Sequence, residues 1–455
     1  MAPHCQSDEG HGTQYRTQKR PRLEKSMKSV PIQQTDNEPP ATKSQPKHRS
    51  TFTVRTAKSS HVEKPEHARD ASNKPEIPNA WRKALDPILY NTLDPEREAR
   101  IRPFRAGILS GRLQALTNFA DGTGPQALDG VDLNTPIVWR NHDFVGTDPL
   151  EIQCALENAI FGFYDGSKKN QTSGLRYEAD KPNRQILERD VPNINLRILQ
   201  SFRNPSMTPL YFAINTHVPG FVLGPTPEIA EREHTFQVET ESSANYTPES
   251  ICYAPPQDNG TRGNAHHALG PKLWVFYPPT PTNITRLIHL HTSNTKYALL
   301  EPSLSPGLYA LLESSQTIQI PPGWLHATYA LASSIVNGTN WWSAEGLAST
   351  ALILSEEIKV GQHKEVGDVL HLLRCLKAAV DAAPHKPGFW TDAVRALRLL
   401  CPVQLGASLG DFVFRKRGNK EANGLAGEIR RALREMGGEL GCESEGCGGL
   451  LEHLP

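Results

Sequence analysis

The sequence lacks an excess of charge of either sign: Lys+Arg and Asp+Glu are both 49 in 455 residues. Nothing in the bulk charge therefore calls for nucleic acid or a membrane surface as partner. Long apolar runs are absent too. None approaches the roughly 18 residues of a membrane span. The opening "MAPHCQSDEGHG" has neither the charged start nor the apolar core of a secretion signal, so a soluble intracellular protein is expected. Cysteines are few, odd in number and scattered: Cys5, Cys154, Cys252, Cys375, Cys401, Cys442 and Cys447. That favours a reducing compartment over a disulfide framework. Cys442 and Cys447 form a loose pair in a Gly-rich tail; a zinc site would need two more ligands, and only His453 is at hand. Apolar residues are also sparse, at 37% beside 37 prolines, so part of the chain is expected to lack a packed core.

What is present divides the chain. Residues 1–78 are rich in Lys, Arg, Ser, Thr, Pro and Gln and cannot bury enough surface to offset chain entropy, so a disordered basic tail is expected. Within it "KRPRLEK" at 19–25 reads as a nuclear import signal, a nucleic-acid patch or simply a solvated cluster. Helical spacing begins with "IPNAWRKALDPIL" and recurs in "DPLEIQCALENAIFGFY", where Asp148-Pro149 suits a helix start; "TPIVWRN" at 135–141 reads as a short strand. Between 209 and 345 the pattern becomes a series of short β-branched and aromatic runs: "PLYFAINTHV", "ESICYA", "KLWVFYPP", "TRLIHLHT", "QTIQIPP" and "SIVNGTNWW". Gly, Pro and Asn punctuate them, which predicts a sandwich or barrel. From about 347 helical spacing returns in "STALILSEEIKV", "EVGDVLHLLRCLKAAVDAA", "FWTDAVRALRLL" and "LAGEIRRALREMG". The expected domains are a tail at 1–78, a β domain with leading helices at 79–347, and a helical extension with a Gly-rich tail at 348–455. The last of these helices, "EIRRALREM", mixes charges of both signs, as an ordinary exposed helix does.

Two stretches carry the chemistry. "YAPPQDNGTRGNAHHALGPKLWVFYPPTPTN" at 253–283 holds a carboxylate, Asp258, and then a strand bearing Lys272. "QIPPGWLHATYAL" at 319–331 sets His326 just after a Pro-Pro-Gly turn, and the next strand ends in "NGTNWW". Read alone, Asp258 sits in an Asp-Asn-Gly turn sequence, Lys272 could be a solvated strand lysine, and His326 could be a turn histidine. Trp274, Trp324, Trp341 and Trp342 are expected to pack in the core or at its rim.

The order and wording of these stretches resemble the JmjC family of Fe(II)- and 2-oxoglutarate-dependent oxygenases, and fungal JmjC-like proteins most of all. The resemblance covers roughly 250–347 and reaches more loosely back to about 130. It implies an α+β fold: a double-stranded β-helix, a jelly-roll or cupin-like barrel, flanked by helices. In that family two imidazoles and a carboxylate hold iron on one face and leave the other open to O2. A His-x-Asp pair supplies two of them, because residues i and i+2 of a strand point the same way. By resemblance, Asp258 is the carboxylate ligand, His326 the distal histidine, Lys272 the partner of the far carboxylate of 2-oxoglutarate, and Asn340 a polar neighbour of that cosubstrate. The first histidine should stand two residues before Asp258, where this sequence has Pro256, which has no donor atom. His217, His266, His267, His289 and His291 are the histidines from which a replacement would come; His289-x-His291 on a strand would face one side. The resemblance implies Fe(II) and 2-oxoglutarate as cofactors, hydroxylation of a C–H bond, a protein substrate such as a histone, and a nuclear location. The loss at Pro256 implies instead a scaffold or chromatin-binding protein that has kept the fold and lost the iron.

Overall fold

The structure, a computed structural model, describes residues 77–359, except 123–124, 141–174, 180, 182–185, 188–189, 219–223, 233–234, 239–241, 254–260 and 291–295, and separate helical residues between 373 and 435. The basic cluster at 19–25, the helix expected at 148–164, "FWTDAVRALRLL" and the Cys442/Cys447/His453 tail lie outside these residues.

Two helices lead into the β domain. Helix α1 (Asn79–Tyr90) matches the expected one and turns Trp81, Leu85 and Leu89 to one side at four-residue spacing. Helix α2 (Pro95–Leu109) starts with the Asp94 side chain accepting the Arg97 N–H, Pro95 in its first turn, and Glu96 and Glu98 nearby. It buries Ile101, Phe104 and Ile108.

The strands are β1 (Leu113–Ala115), β2 (Phe119–Asp121), β3 (Ile137–Arg140), β4 (Leu175–Glu178), β5 (Tyr211–Val218), β6 (Thr235–Val238), β7 (Ser242–Thr247), β8 (Cys252–Tyr253), β9 (Arg262–Leu269), β10 (Lys272–Tyr277), β11 (Gly307–Leu312), β12 (Thr317–Ile320), β13 (Leu325–Ala330) and β14 (Ser334–Ser343). They form two sheets. The smaller runs β1-β11-β10-β13-β8; the larger runs β2-β3-β12-β9-β14-β7-β5-β4, with β6 also beside β14. The fold is thus mixed α+β, built on two large sheets and compatible with jelly-roll-like packing.

Which faces look inward follows from side chains that cross between the sheets. Lys272 and Trp274 of the small sheet hydrogen-bond to Thr247 and His267 of the large one. Strand alternation then puts Lys272, Trp274 and Phe276 inward on β10, and Gly263, Ala265 and His267 inward on β9. The outer face of the small sheet carries Leu273, Val275, Tyr309 and Tyr329. Helices α1 and α2 cover it, with Trp81 against Tyr309 and Phe104 against Tyr329. The outer face of the large sheet is covered in two places. Helix α3 (Ile194–Arg203) packs Ile194 and Ile198 on Tyr211, Ala213, Ala244 and Tyr246. A second cluster gathers Ala120, Leu128, Ile137, Trp139, Ile229 and Trp341, with Ile229 coming from α4 (Pro227–Arg232).

One expected strand is a helix. "TRLIHLHT" lies mostly in α5 (Pro281–His289), capped by the Thr280 side chain, which accepts the Asn283 N–H, with Pro281 at the first helical position. Ile284, Leu287 and Ile288 are its buried face, a three- and four-residue spacing that the alternating reading overlooked. Helix α6 (Lys296–Leu300) follows, and the buried Glu301 beyond it takes a two-pronged ion pair from Arg112, at 2.8 Å between Nη2 and Oε2. This pins the α2–β1 connection to the approach of β11. Helix α7 (Leu347–Lys359) is the "STALILSEEIKV" helix.

Candidate functional site: the face between the sheets

The Pro-Pro-Gly turn does what its residues dictate. Strand β12 ends at Ile320, the Trp324 N–H returns to the Pro321 carbonyl at 3.3 Å, and Gly323 takes a positive φ of 73°. Trp324 anchors the turn by donating its indole N–H to the Asn134 carbonyl at 3.0 Å. His326 is then the second residue of β13, directly opposite Phe276 of β10. It therefore shares the inward face with Phe276, Trp274 and Lys272, and it is only 6% exposed. Its Nδ1 lies 3.4 Å from the Trp324 carbonyl, and its ring leans on Trp274 with centroids 5.6 Å apart.

Lys272 is not a solvated strand lysine. It is 3% exposed, and its ammonium donates to Thr247 Oγ1 at 2.8 Å. Its strand neighbours are Leu312 and Ala330. Burial, which costs the charged amine its hydration, pushes its pKa down to about 7. A buried amine of this kind stabilises an incoming carboxylate strongly and becomes fully charged in doing so.

Between Lys272 and His326 stands Trp274. It stacks on Phe276, with centroids 5.7 Å apart and an interplanar angle of 11°. Its indole N–H donates to His267 Nε2 at 2.8 Å. His267 is fully buried, and its Nδ1 lies 3.4 Å from the Gly270 carbonyl. The proton of the neutral ring is therefore on Nδ1. Burial, reinforced by the charge of Lys272, pushes the His267 pKa down to about 3. Gly270, at the β9–β10 corner, has φ +72° and sits so close to the Ser333 carbonyl that a Cβ would collide with it.

The other expected residues separate. Asn340 is on the inward face, opposite Gly263, whose missing Cβ leaves room for the Asn340 amide. Yet Thr247, the partner of Lys272, pairs with Ser334, six residues from Asn340 on the same strand. At strand rise that is about 20 Å, so Asn340 is at the far end of the face from Lys272 and not beside it. Asp258 and Pro256 lie outside the described residues, as does His291. His266 faces outward and bonds Thr317 Oγ1 at 2.9 Å. His267 has both ring nitrogens engaged. His289 ends helix α5 and is exposed. The backbone of His217 pairs with Ser243. A bulge between Ala213 and Thr216 sets this register, with Asn215 at φ +51° and its N–H held by Asn245 Oδ1.

Of the histidines that could have stood in for position 256, His266 and His267 are thus engaged elsewhere and His289 is exposed at a helix end. Among the described residues no group of three or more His, Cys, Asp or Glu could hold a metal ion. The described residues therefore do not by themselves make a complete face for iron.

No family model matches the chain. It is similar to the JmjC domain-containing histone demethylation protein 1 of Candida glabrata. The two are 30% identical over 106 residues, 23% of this chain and 26% of that protein, so the match spans about a quarter of the relative's length. Among the described residues no helix is long and apolar enough to cross a membrane.

The sequence reading missed His267 as the partner of Trp274. Its signal was present in "HHALGPKLW": a Gly-Pro corner joins two strands, so an inward histidine on one and an inward tryptophan on the other are brought level.

Proposed function

We propose that this chain is a JmjC-like protein with a double-stranded β-helix, whose interior binds a dicarboxylate of the 2-oxoglutarate class through Lys272. The observation that carries this reading is the buried Lys272 amine, paired with Thr247, on the same inward face as His326. Lys272 receives one carboxylate and becomes fully charged, and Thr247 orients the amine. Trp274 and Phe276 exclude water from the ligand's middle. Asn340 marks the other end of the face.

The relative's name points to histones as the class of protein partner and to the nucleus as the place of work, with the basic stretch at 19–25 as the import signal or a nucleic-acid contact. Fe(II) with 2-oxoglutarate would supply oxidative hydroxylation, and Asp258 and His326 are the residues by which the chain would hold the metal. Pro256, and the engagement of His266 and His267 elsewhere, favour a second reading. In it the chain is a chromatin-binding scaffold that has lost the chemistry and kept the pocket.

Calorimetric titration of the purified chain with 2-oxoglutarate, with and without Fe(II), tests both. Binding that Lys272→Met removes is expected. Absence of binding, or binding that Lys272→Met leaves intact, would overturn the proposal. Iron uptake lost in His326→Ala and Asp258→Ala supports the oxygenase reading; no uptake leaves the scaffold.

A further inference from the structure

Inside the molecule the Trp274 indole joins the small sheet to the large one by a hydrogen bond, and its geometry has a chemical result. An indole has a single polar atom, its N–H, and no acceptor. In Trp274 that N–H is taken by His267 Nε2 at 2.8 Å. The His267 ring is itself held by the Gly270 carbonyl on its other nitrogen. The remaining indole surface is hydrocarbon-like, and it neighbours the Phe276 ring and the His326 ring, which face each other across the β10–β13 pair. Lys272 and Phe276 are four residues apart on one strand, so the cation and the imidazole are anchored about 13 Å apart, with Trp274 between them.

We infer that His267 is a positioning residue. By accepting the Trp274 N–H it fixes the indole as an apolar wall between the Lys272 amine and the His326 imidazole. The interior then takes a ligand with polar groups at its two ends and a methylene chain in its middle. The ligand class rests on the proposed function; the link from His267 through Trp274 to His326 does not.

The test separates the two. In protein labelled with 5-fluorotryptophan, Trp274→Phe assigns the Trp274 fluorine signal, and the His326 ring is read from its 1H–15N correlations. His267→Phe keeps a flat ring and removes the acceptor, so both signals move while thermal melting still shows a folded protein. His267→Gln restores an acceptor and returns both signals towards their original positions. Unchanged Trp274 and His326 signals in a folded His267→Phe protein would overturn the inference. If His267→Phe does not fold, Trp274→Phe keeps a ring without the N–H and must shift the His326 signal by itself; no shift overturns the link equally.

Titration with glutarate and 3-hydroxyglutarate reads the wall directly. Roughly tenfold tighter binding of glutarate is expected in the original protein and in His267→Gln, since an apolar wall rejects an added hydroxyl only moderately. In His267→Phe the freed N–H meets the hydroxyl, and the preference falls. Equal binding of the two diacids in the original protein sinks the ligand class. If the spectroscopic signals respond and neither diacid binds, the 2-oxoglutarate-class reading fails and takes the ligand class with it, while the positioning role stands.

Discussion

The two faces of the large sheet differ in a way that runs against intuition. Along β9 and β14 the inward face carries Gly263, Ala265, His267, Val336, Gly338 and Asn340, while the outward face carries Arg262, Asn264, His266, Asn337, Thr339 and Trp341. The outward set has more polar atoms, yet Asn337, Thr339 and Trp341 are at most 1% exposed, and Gly338 and Asn340 on the inward side are more open. On the outward face Asn337 is buried with neither amide atom hydrogen-bonded, and so is the Gln319 amide nitrogen. On the inward face His267 and Lys272 have defined partners. Polarity by itself therefore does not locate a site. What marks the inward face is that it sets a buried amine and a buried imidazole with defined partners among small or flat residues.

Four measurements break or sharpen this contrast. The largest effect is expected outside the site. Trp341→Ala, at a fully buried outward position, should destabilise by about 3–5 kcal/mol in denaturant melts and leave diacid affinity unchanged in whatever protein remains folded. A loss of affinity without a loss of stability would show that the two faces are not separable.

Next comes Lys272. Its pKa falls from the usual 10.5 to about 7 on folding, so between these values the unfolded chain binds the extra proton. Stability should thus rise with pH from about 7 towards 10.5, by up to ~1.4 kcal/mol per pH unit, and be level below 7. Lys272→Met should flatten this limb, and a difference curve without slope would place the amine in water. His267 gives the acid counterpart. Its pKa falls from 6.5 to about 3, so the unfolded chain alone takes the proton in that window and stability drops as pH falls through it. His267→Gln should reduce the drop, read from acid melts of the two proteins.

The smallest effect has the opposite sign. Asn337→Leu removes two unpaired buried polar atoms and should be neutral or stabilising by about 1 kcal/mol in thermal melts. A clear destabilisation would mean that bound water satisfies the amide.

Much of this was legible in the sequence. "KLWVFY" and "SIVNGTNWW" read as strands because aromatic and β-branched residues fill both faces of a covered sheet, and "IPNAWRKALDPIL" read as α1 from its four-residue apolar spacing. His326 was placed by its Pro-Pro-Gly turn. Strand β9, "RGNAHHAL", was not legible, because both its faces are buried with polar and small residues and no alternation survives. "TRLIHLHT" misled because three apolar residues in eight fit either period, and only the Thr-Pro start decides for helix. The separation of Asn340 from Lys272 is set by the pairing of β7 with β14, a long-range register that no local motif carries.

The corner at Gly270 has a consequence for how this chain can drift. Its backbone leaves no space for a side chain, its carbonyl orients His267, and two residues later the strand delivers Lys272. A substitution there would disturb the latch and the cation together, so neither can be lost gradually through that position. Lineages that keep the indole–imidazole pairing should keep glycine at 270, and lineages that abandon it should be free to replace all three.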